Sequence, residues 1–367
     1  MTQPPPKPPA FLAWIVAFAV ISGALLLGLL LAAHALAAFL PASALLAFGV
    51  ADFSLHVLDI DHHIQWRVSP SGVFPAWSPD GRLAFTQNLN GDAEVYVYNG
   101  RTTLNISHNP GRDADVVWSS DGRLAFESER GGNNEIYVWD GTALNNVSQH
   151  EARDEHPAWS PDGRLAFESY RDGNREIYVW DGASLTNISH YAGEDSSPVW
   201  SADGRLAFIS GRSGLSEIYV WDGAAVLDIS PPSMGGLGQT WSADGRLAFM
   251  SNVTRDSEIY VWDGVTIVNI SQAPEQDVIP RWSADGRLAF ASDRDGNTEI
   301  YVWDGTSLAN ISQSPLPDYF YAWSADGRLA YISRAGSPDL YIWDGHSATL
   351  AARSVSTTFL PVWYVPS

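Results

Sequence analysis

Five aspartates occupy one position of a repeated sequence, and each lies five residues before a tryptophan. Carboxylates that recur at one place in a repeat array could form an acidic arc that binds a cation or a basic partner. A structural role is the alternative, since Asp in loops accepts hydrogen bonds from backbone N–H groups. The candidates for ligand or partner binding are Asp113, Asp154, Asp195, Asp277 and Asp318.

Histidines lie in the same part of the chain, close to three of these aspartates. Imidazole and carboxylate side chains together bind zinc and other transition metals. Their spacing matches no known metal motif, so a divalent cation is a weak hypothesis, and we predict no other cofactor. The candidate metal ligands are His108, His150, His156 and His190.

Four arginines each precede a glutamate by five residues, as Arg130 precedes Glu135. This spacing predicts an ion pair across a hairpin, with the modest strength of exposed pairs. The sequence contains no nucleophile elbow, phosphate-binding loop or dinucleotide fingerprint, so we assign no catalytic residue.

All of these residues lie between copies of one phrase, which first reads Trp77-Ser78-Pro79-Asp80-Gly81-Arg82-Leu83-Ala84-Phe85. Each copy begins 41 residues after the last, and each period holds four short apolar runs, A to D. Asp-Gly pairs favour tight hairpin turns, and four strands in a period of about 40 residues are typical of a β-propeller blade. The other copies begin at Trp118, Trp159, Trp200, Trp241, Trp282 and Trp323.

The two ends of the repeat array predict how the ring closes. Residues 45–69 resemble runs B, C and D, whereas residues 359–365 resemble a single run A. Together they would complete one blade. With seven full repeats they predict an all-β, eight-bladed propeller over residues 44–367, which leaves no open sheet edge.

Residues 159–181 carry the repeat in its clearest form. Trp159-Ser160-Pro161-Asp162-Gly163 is followed by Arg171-Asp172-Gly173-Asn174 and then by Glu176-Ile177-Tyr178-Val179. This pattern resembles the TolB-type, WD-repeat-like propeller repeat over about residues 52–367, and the resemblance implies the fold. The chain departs from TolB itself, because it has no additional N-terminal α/β domain and has too many blades. TolB's role in an envelope complex therefore does not carry over.

The composition excludes several classes of function. The 367 residues include no cysteine, which rules out disulfides and thiolate chemistry. The net charge is −21, and the only lysine is Lys7. An acidic surface repels nucleic acid and suits a cationic partner or simple solubility, so we predict no nucleic-acid partner.

The N-terminal segment predicts attachment to a membrane. Residues 1–10 are proline-rich and should be a disordered tail, whereas residues 11–40 are apolar enough and long enough to form a transmembrane helix. Because Lys7 precedes this span, we predict a cytoplasmic N terminus and a propeller at the cell surface or in the periplasm. A cleaved signal with Ala35-Leu36-Ala37 at the cleavage site is one alternative, and it would give a secreted protein. A buried helix of a soluble protein is the other.

The loops that join D to A and B to C vary between repeats and share one face of the predicted propeller. Variable loops on a rigid scaffold are common binding sites. We therefore predict a non-enzymatic scaffold that binds a protein or a small ligand at this face. The alternatives are a hydrolase or lyase that acts on glycans or peptides, and a purely structural envelope protein. Carboxylates and histidines that converge in the channel would favour the enzyme.

Overall fold

The computed structural model describes residues 43–89, 91–230, 234–253, 256–334 and 337–366. The compact unit Ala44–Ser367 contains 32 strands in eight four-stranded antiparallel sheets, which confirms the predicted eight-bladed propeller. The predicted tail at 1–10 and the predicted membrane span at 11–40 lie outside the described residues. Among those described, no helix has the length and apolar character that crossing a bilayer requires.

The chain enters the ring with β1 (Leu45–Gly49), β2 (Leu55–Asp59) and β3 (Ile64–Ser69). Seven blades follow, and each uses four consecutive strands in the order A, B, C, D. Blade 1 has β4 (Gly72–Trp77), β5 (Leu83–Leu89), β6 (Asp92–Tyr98) and β7 (Thr103–Asn105). Blade 2 has β8 (Asp113–Trp118), β9 (Leu124–Ser128), β10 (Glu135–Trp139) and β11 (Leu144–Asn146). Blade 3 has β12 (Asp154–Trp159), β13 (Leu165–Ser169), β14 (Glu176–Trp180) and β15 (Leu185–Asn187).

The remaining blades repeat this order. Blade 4 has β16 (Asp195–Trp200), β17 (Leu206–Ser210), β18 (Glu217–Trp221) and β19 (Val226–Asp228). Blade 5 has β20 (Leu237–Trp241), β21 (Leu247–Ser251), β22 (Glu258–Trp262) and β23 (Ile267–Asn269). Blade 6 has β24 (Asp277–Trp282), β25 (Leu288–Ser292), β26 (Glu299–Trp303) and β27 (Leu308–Asn310). Blade 7 has β28 (Asp318–Trp323), β29 (Leu329–Ser333), β30 (Asp339–Trp343) and β31 (Ala348–Ala352), and β32 (Val362–Tyr364) follows it.

The eighth blade combines β32 with β1, β2 and β3. Strand β32 pairs with β1 in antiparallel register, with Trp363 opposite Leu46. The indole Nε1 of Trp363 donates to the carbonyl oxygen of Ala322 in blade 7 at 2.9 Å. On the other side, Nε1 of Trp77 in blade 1 donates to the carbonyl oxygen of Val362 at 3.1 Å. These bonds connect the eighth blade to both of its neighbours and close the ring.

Packing between blades follows from the alternation of side chains along each strand. In β9, Leu124 and Phe126 pack against blade 1 in a cluster that contains Ala84. Ala125, which lies between them, points the other way and packs against Leu165 of blade 3. Both faces of the sheet are therefore buried, and this requirement explains why the Leu-Ala-Phe triplet recurs in the repeat.

The turn between strands A and B explains most of the repeated phrase. In blade 2, Ser119 Oγ accepts a hydrogen bond from the Arg123 backbone N–H at 2.8 Å. The Arg123 guanidinium pairs with Asp121 and lies over the Trp159 ring of blade 3, 4.5 Å from its centroid. It also donates to the Gly163 carbonyl oxygen of blade 3 at 3.1 Å. The repeated arginine thus links neighbouring blades, a role that the sequence alone does not reveal.

Candidate functional site

The five predicted aspartates are buried. Each is the first residue of a strand A, and each has 0% of its surface exposed. In blade 3, Asp154 Oδ1 accepts a hydrogen bond from Arg171 Nη2 at 3.1 Å, and Asp277 accepts one from Arg294 in the same way in blade 6. Burial raises the pKa of all five carboxyl groups. Since none of them reaches solvent, they do not form an exposed acidic arc. For four of the five, an arginine of the B–C hairpin lies within 3.5 Å of the carboxylate.

The predicted Arg–Glu ion pairs are replaced by other partners. Arg130 Nη2 lies 3.5 Å from Asp113 Oδ1, and within the described part of the chain Arg130 forms no ion pair with Glu135. Glu135 instead accepts hydrogen bonds from Ser148 Oγ at 2.6 Å and from the His150 backbone N–H at 3.2 Å. The prediction of a cross-hairpin pair is therefore wrong, because the start of strand A lies against the hairpin and supplies the carboxylate.

The sequence holds a sign of the true pairing. In blade 5 Gly236 takes the aspartate position, and Val253 takes the arginine position, so that both partners are lost together. Blade 7 departs from the pattern. Asp318 has no ion pair among the described residues, and the guanidinium of Arg334 lies over the Tyr319 ring at 5.3 Å.

Three of the four predicted histidines lie in D–A loops and do not line the channel. His150 is half-buried, and its Nδ1 accepts a hydrogen bond from the Ala152 N–H at 3.0 Å. His108 and His190 are exposed. Only His156 belongs to a possible metal-binding group within the described ranges, and it comes from β12 rather than from a loop.

The channel is lined by one position of strand A, three residues before each repeat tryptophan. A β-bulge lies here, and the residue takes a positive φ in seven blades. Six of the eight residues at this position line a cavity of about 830 Å³, and Gly238 and Ile279 are the exceptions. The residues at this position are Phe74, Asp115, His156, Ser197, Gly238, Ile279 and Phe320, and Leu360 takes the corresponding place before β32.

The cavity has two unlike sides, near the end of the channel that carries the D–A and B–C loops. The polar arc consists of Asp115, His156, Ser197, Glu168 and Arg175. The apolar arc consists of Phe74, Phe320, Phe359 and Leu360.

Glu168 of β13 holds the polar arc together. Its Oε1 accepts the Ser197 backbone N–H at 2.7 Å, which satisfies a donor freed by the bulge. Its Oε2 lies 3.2 Å from Arg175 Nη1 and 3.3 Å from His156 Nδ1. Burial alone would raise the pKa of Glu168. The hydrogen bonds from His156 and Ser197, together with the charge of Arg175, outweigh burial and hold the pKa of Glu168 below its usual range. The hydrogen bond to Glu168 raises the pKa of His156 to about 9.

Glu127 of β9 takes the same place in blade 2. Its Oε1 accepts the His156 backbone N–H at 2.8 Å, and its Oε2 accepts from Asn134 Nδ2 at 3.3 Å. Only 3% of its surface is exposed. Burial, and then the neighbouring carboxylate of Asp115, raise the pKa of Glu127 to about 7. The polar arc therefore borders a buried carboxyl group that holds its proton more readily than an exposed glutamate does.

Comparison with known proteins places the fold among solved propellers. No protein-family model matches the chain. No curated protein matches it either. Dihydro-heme d1 dehydrogenase NirN is 17% identical with a TM-score of 0.64, over 89% of this chain and 78% of that one. TolB from Acinetobacter baumannii is 19% identical with a TM-score of 0.42, over 80% of this chain and 82% of TolB. Puromycin hydrolase is 14% identical with a TM-score of 0.55, over 79% of this chain and 57% of its own.

The likenesses to NirN and puromycin hydrolase show the fold alone. The TolB-like propeller repeat predicted from the sequence is confirmed at that level by the eight four-stranded blades. The chain spans little more than half the length of puromycin hydrolase, so the activity of that enzyme is not assigned to it.

Sequence reasoning missed most of the channel site. It named His156 but grouped it with loop histidines, and it did not single out Asp115, Glu127, Glu168 or Ser197. The available signal was a comparison of the repeats position by position. The residue three places before the tryptophan changes in almost every blade, while the turn and strand B around it hardly change.

Proposed function

We propose that the propeller is a binding module that takes a small amphiphilic ligand into its channel from the D–A and B–C loop face. The observation that carries this proposal is the split lining of the cavity. The polar arc offers carboxylates, an imidazole and a guanidinium, whereas the apolar arc offers aromatic and aliphatic surface. A ligand with one polar and one apolar end would contact both arcs at once.

Variation among the repeats supports this proposal. The A–B turn and the Leu-Ala-Phe triplet hardly change, because every blade needs them for its turn and its packing. The channel position changes from Phe74 through Asp115 and His156 to Ser197 in four successive blades. Neither the turn nor the packing requires this variety, whereas an asymmetric ligand in the channel does.

A short peptide with one aromatic side chain is the ligand class that we propose. The volume of about 830 Å³ lies within the range of small-ligand sites. Phe74 is 54% exposed, and its ring centroid lies 6.3 Å from that of Phe359, so an aromatic face is open to a further ring. Peptide amide groups suit the donors and acceptors of the polar arc.

An enzyme that acts on peptides or glycans is the second candidate. Glu127 with a pKa of about 7 and His156 with a pKa of about 9 converge beside Asp115, and such perturbed pairs serve in general acid–base catalysis. Cleavage products from a bound peptide, detected by mass spectrometry, would support the enzyme. Binding without turnover would support the binding module.

Ser197→Phe is expected to weaken the binding of aromatic tripeptides by about tenfold or more, a loss of ~1.4 kcal/mol, because the new ring fills the channel. The backbone at this position accepts an aromatic residue, since Phe74 and Phe320 take φ values of 50° and 53° there. Isothermal titration calorimetry of the full-length chain measures the change. Val265→Phe, at an 88% exposed position, is the control and should bind like the wild type. Equal affinities for all three proteins would refute a channel site.

We further propose that the module works outside the cytoplasm, held at a membrane by residues 11–40. The support comes from the sequence, which has an apolar segment of sufficient length and a single preceding lysine, Lys7. N-terminal sequencing of the mature protein is the test. A terminus that begins after Ala37 would show a cleaved signal instead of an anchor.

A further inference from the structure

Three possible metal ligands meet at the channel mouth. Asp115, Glu127 and His156 offer one ligand atom each, and these atoms lie within 4.8 Å of one another. We propose that these three side chains bind one divalent transition-metal ion, such as zinc. Imidazole with carboxylates is a ligand set that suits such ions. The inference goes beyond the proposed function, because the metal would bind whether or not a peptide occupies the channel.

The surroundings of His156 are those of a metal ligand. A metal-bound histidine commonly donates its second ring nitrogen to a carboxylate, which fixes the ring. His156 Nδ1 lies 3.3 Å from Glu168 Oε2, and this contact leaves Nε2 available for a metal ion. Glu168 is itself held by Arg175 Nη1 at 3.2 Å and by the Ser197 N–H at 2.7 Å. The imidazole is therefore oriented before any ion arrives.

Glu127 is oriented in a similar way. One carboxylate oxygen accepts the His156 N–H at 2.8 Å, and the other accepts from Asn134 Nδ2 at 3.3 Å. Each carboxylate oxygen has two lone pairs, so both bonds leave acceptor capacity for a metal ion. Asp115 and His156 are exposed, and solvent or the polar end of a ligand can complete the coordination sphere.

The next blade provides an internal comparison. Glu168 lies 41 residues after Glu127, and Arg175 lies 41 residues after Asn134. Blade 3 therefore gives its buried glutamate a fixed cation, at 3.2 Å, where blade 2 has a neutral amide. No arginine or lysine forms an ion pair with Glu127 in the described part of the chain. With Asp115 beside Glu127, the two carboxylates would be compensated by a doubly charged ion, which would replace the proton that burial otherwise favours on Glu127.

Titration of the full-length, chelator-treated chain with Co²⁺ and with Zn²⁺ tests the proposal. The visible absorption of Co²⁺ reports its ligands, and calorimetry gives the Zn²⁺ stoichiometry and affinity. We expect one ion per chain. His156→Gln and Asp115→Asn should each weaken metal binding by about 100-fold or more. Glu168→Gln changes only the partner of His156 Nδ1, and it should weaken metal binding by ~10–100-fold.

His150→Gln is the matched control, because this half-buried histidine lies outside the three proposed metal ligands. The variant should bind Zn²⁺ with the affinity of the wild type. Asp115 is exposed, so Asp115→Asn should melt like the wild type in the absence of metal. The proposal is overturned if the wild type binds no stoichiometric ion, or if Asp115→Asn and His156→Gln bind as tightly as it does. Neither metal titration contains peptide. A negative result would therefore overturn the metal site without bearing on tripeptide binding, which calorimetry of the Ser197→Phe variant tests separately.

Discussion

Deletion of residues 359–367 is expected to lower the free energy of unfolding by roughly 5 kcal/mol or more, a large part of the stability of many domains. Phe359 is 7% exposed and packs with Leu55 and Phe85, and the loss of a buried phenylalanine alone costs about 3–5 kcal/mol. The deletion also removes β32 and the hydrogen bond from Trp363 to blade 7, which contributes about 1 kcal/mol. Strand β1 would be left with an unpaired edge.

Urea denaturation followed by tryptophan fluorescence measures this loss, and hydrogen exchange reports the opening of β1. Deletion of residues 365–367 is the matched control, because it keeps β32 whole and should change stability by less than about 0.5 kcal/mol. If the two deletions have the same effect, the ring does not depend on its last strand.

Asp318→Asn is expected to stabilise the protein by roughly 1–2 kcal/mol at pH 8 and to have little effect near pH 4. Burial raises the pKa of Asp318 to about 6, and this carboxylate has no ion pair among the described residues. The folded state thus keeps a proton on Asp318 that the unfolded chain loses near pH ~4. The free energy of unfolding of the wild type therefore falls as the pH rises from about 4 to about 6, and it stays at the lower value at higher pH. Asn resembles the protonated form and removes this dependence.

Asp277→Asn is the matched comparison, because Asp277 occupies the same repeat position but accepts hydrogen bonds from Arg294 at 3.1 and 3.2 Å. Burial raises the pKa of Asp277 as well, but the charge and hydrogen bonds of Arg294 oppose this rise, so Asp277→Asn should stabilise the protein at pH 8 by less than Asp318→Asn does. Chemical denaturation between pH 4 and pH 8 measures both. A loss of stability in Asp318→Asn at pH 8 would show that its carboxylate has a favourable partner.

The architecture was predictable because its signals are local and repeated. Asp-Gly pairs mark the turns, short apolar runs mark the strands, and the period of 41 residues fixes the size of a blade. The composite blade could also be inferred, since residues 45–69 lack the run that residues 359–365 supply. Observed β32 is shorter than the predicted run, at Val362–Tyr364, because the preceding residues pack as a loop over the core.

The aspartates show the limit of this reasoning. Their shared position predicts that they lie in the loops before strand A, whereas each is the first residue of that strand, and a one-dimensional pattern does not report which side chains are exposed. Spacing along the chain predicts Glu135 as the ion-pair partner of Arg130, whereas in the folded blade the carboxylate beside Arg130 is that of Asp113. Burial and pairing depend on how the start of strand A packs against the B–C hairpin, and both are properties of the folded blade.

The sequence by itself determined the strands, the blade count and the identity of the residues that every blade repeats, because these follow from local periodicity. Only the tertiary structure decided which side chains meet in the channel. Asp115 and His156 are 41 residues apart and belong to different blades, and they become neighbours because strands A surround one axis. A bulge with positive φ then turns both toward that axis, and no local residue preference marks it. The polar arc and the metal site proposed beside it therefore arise from the closure of the ring.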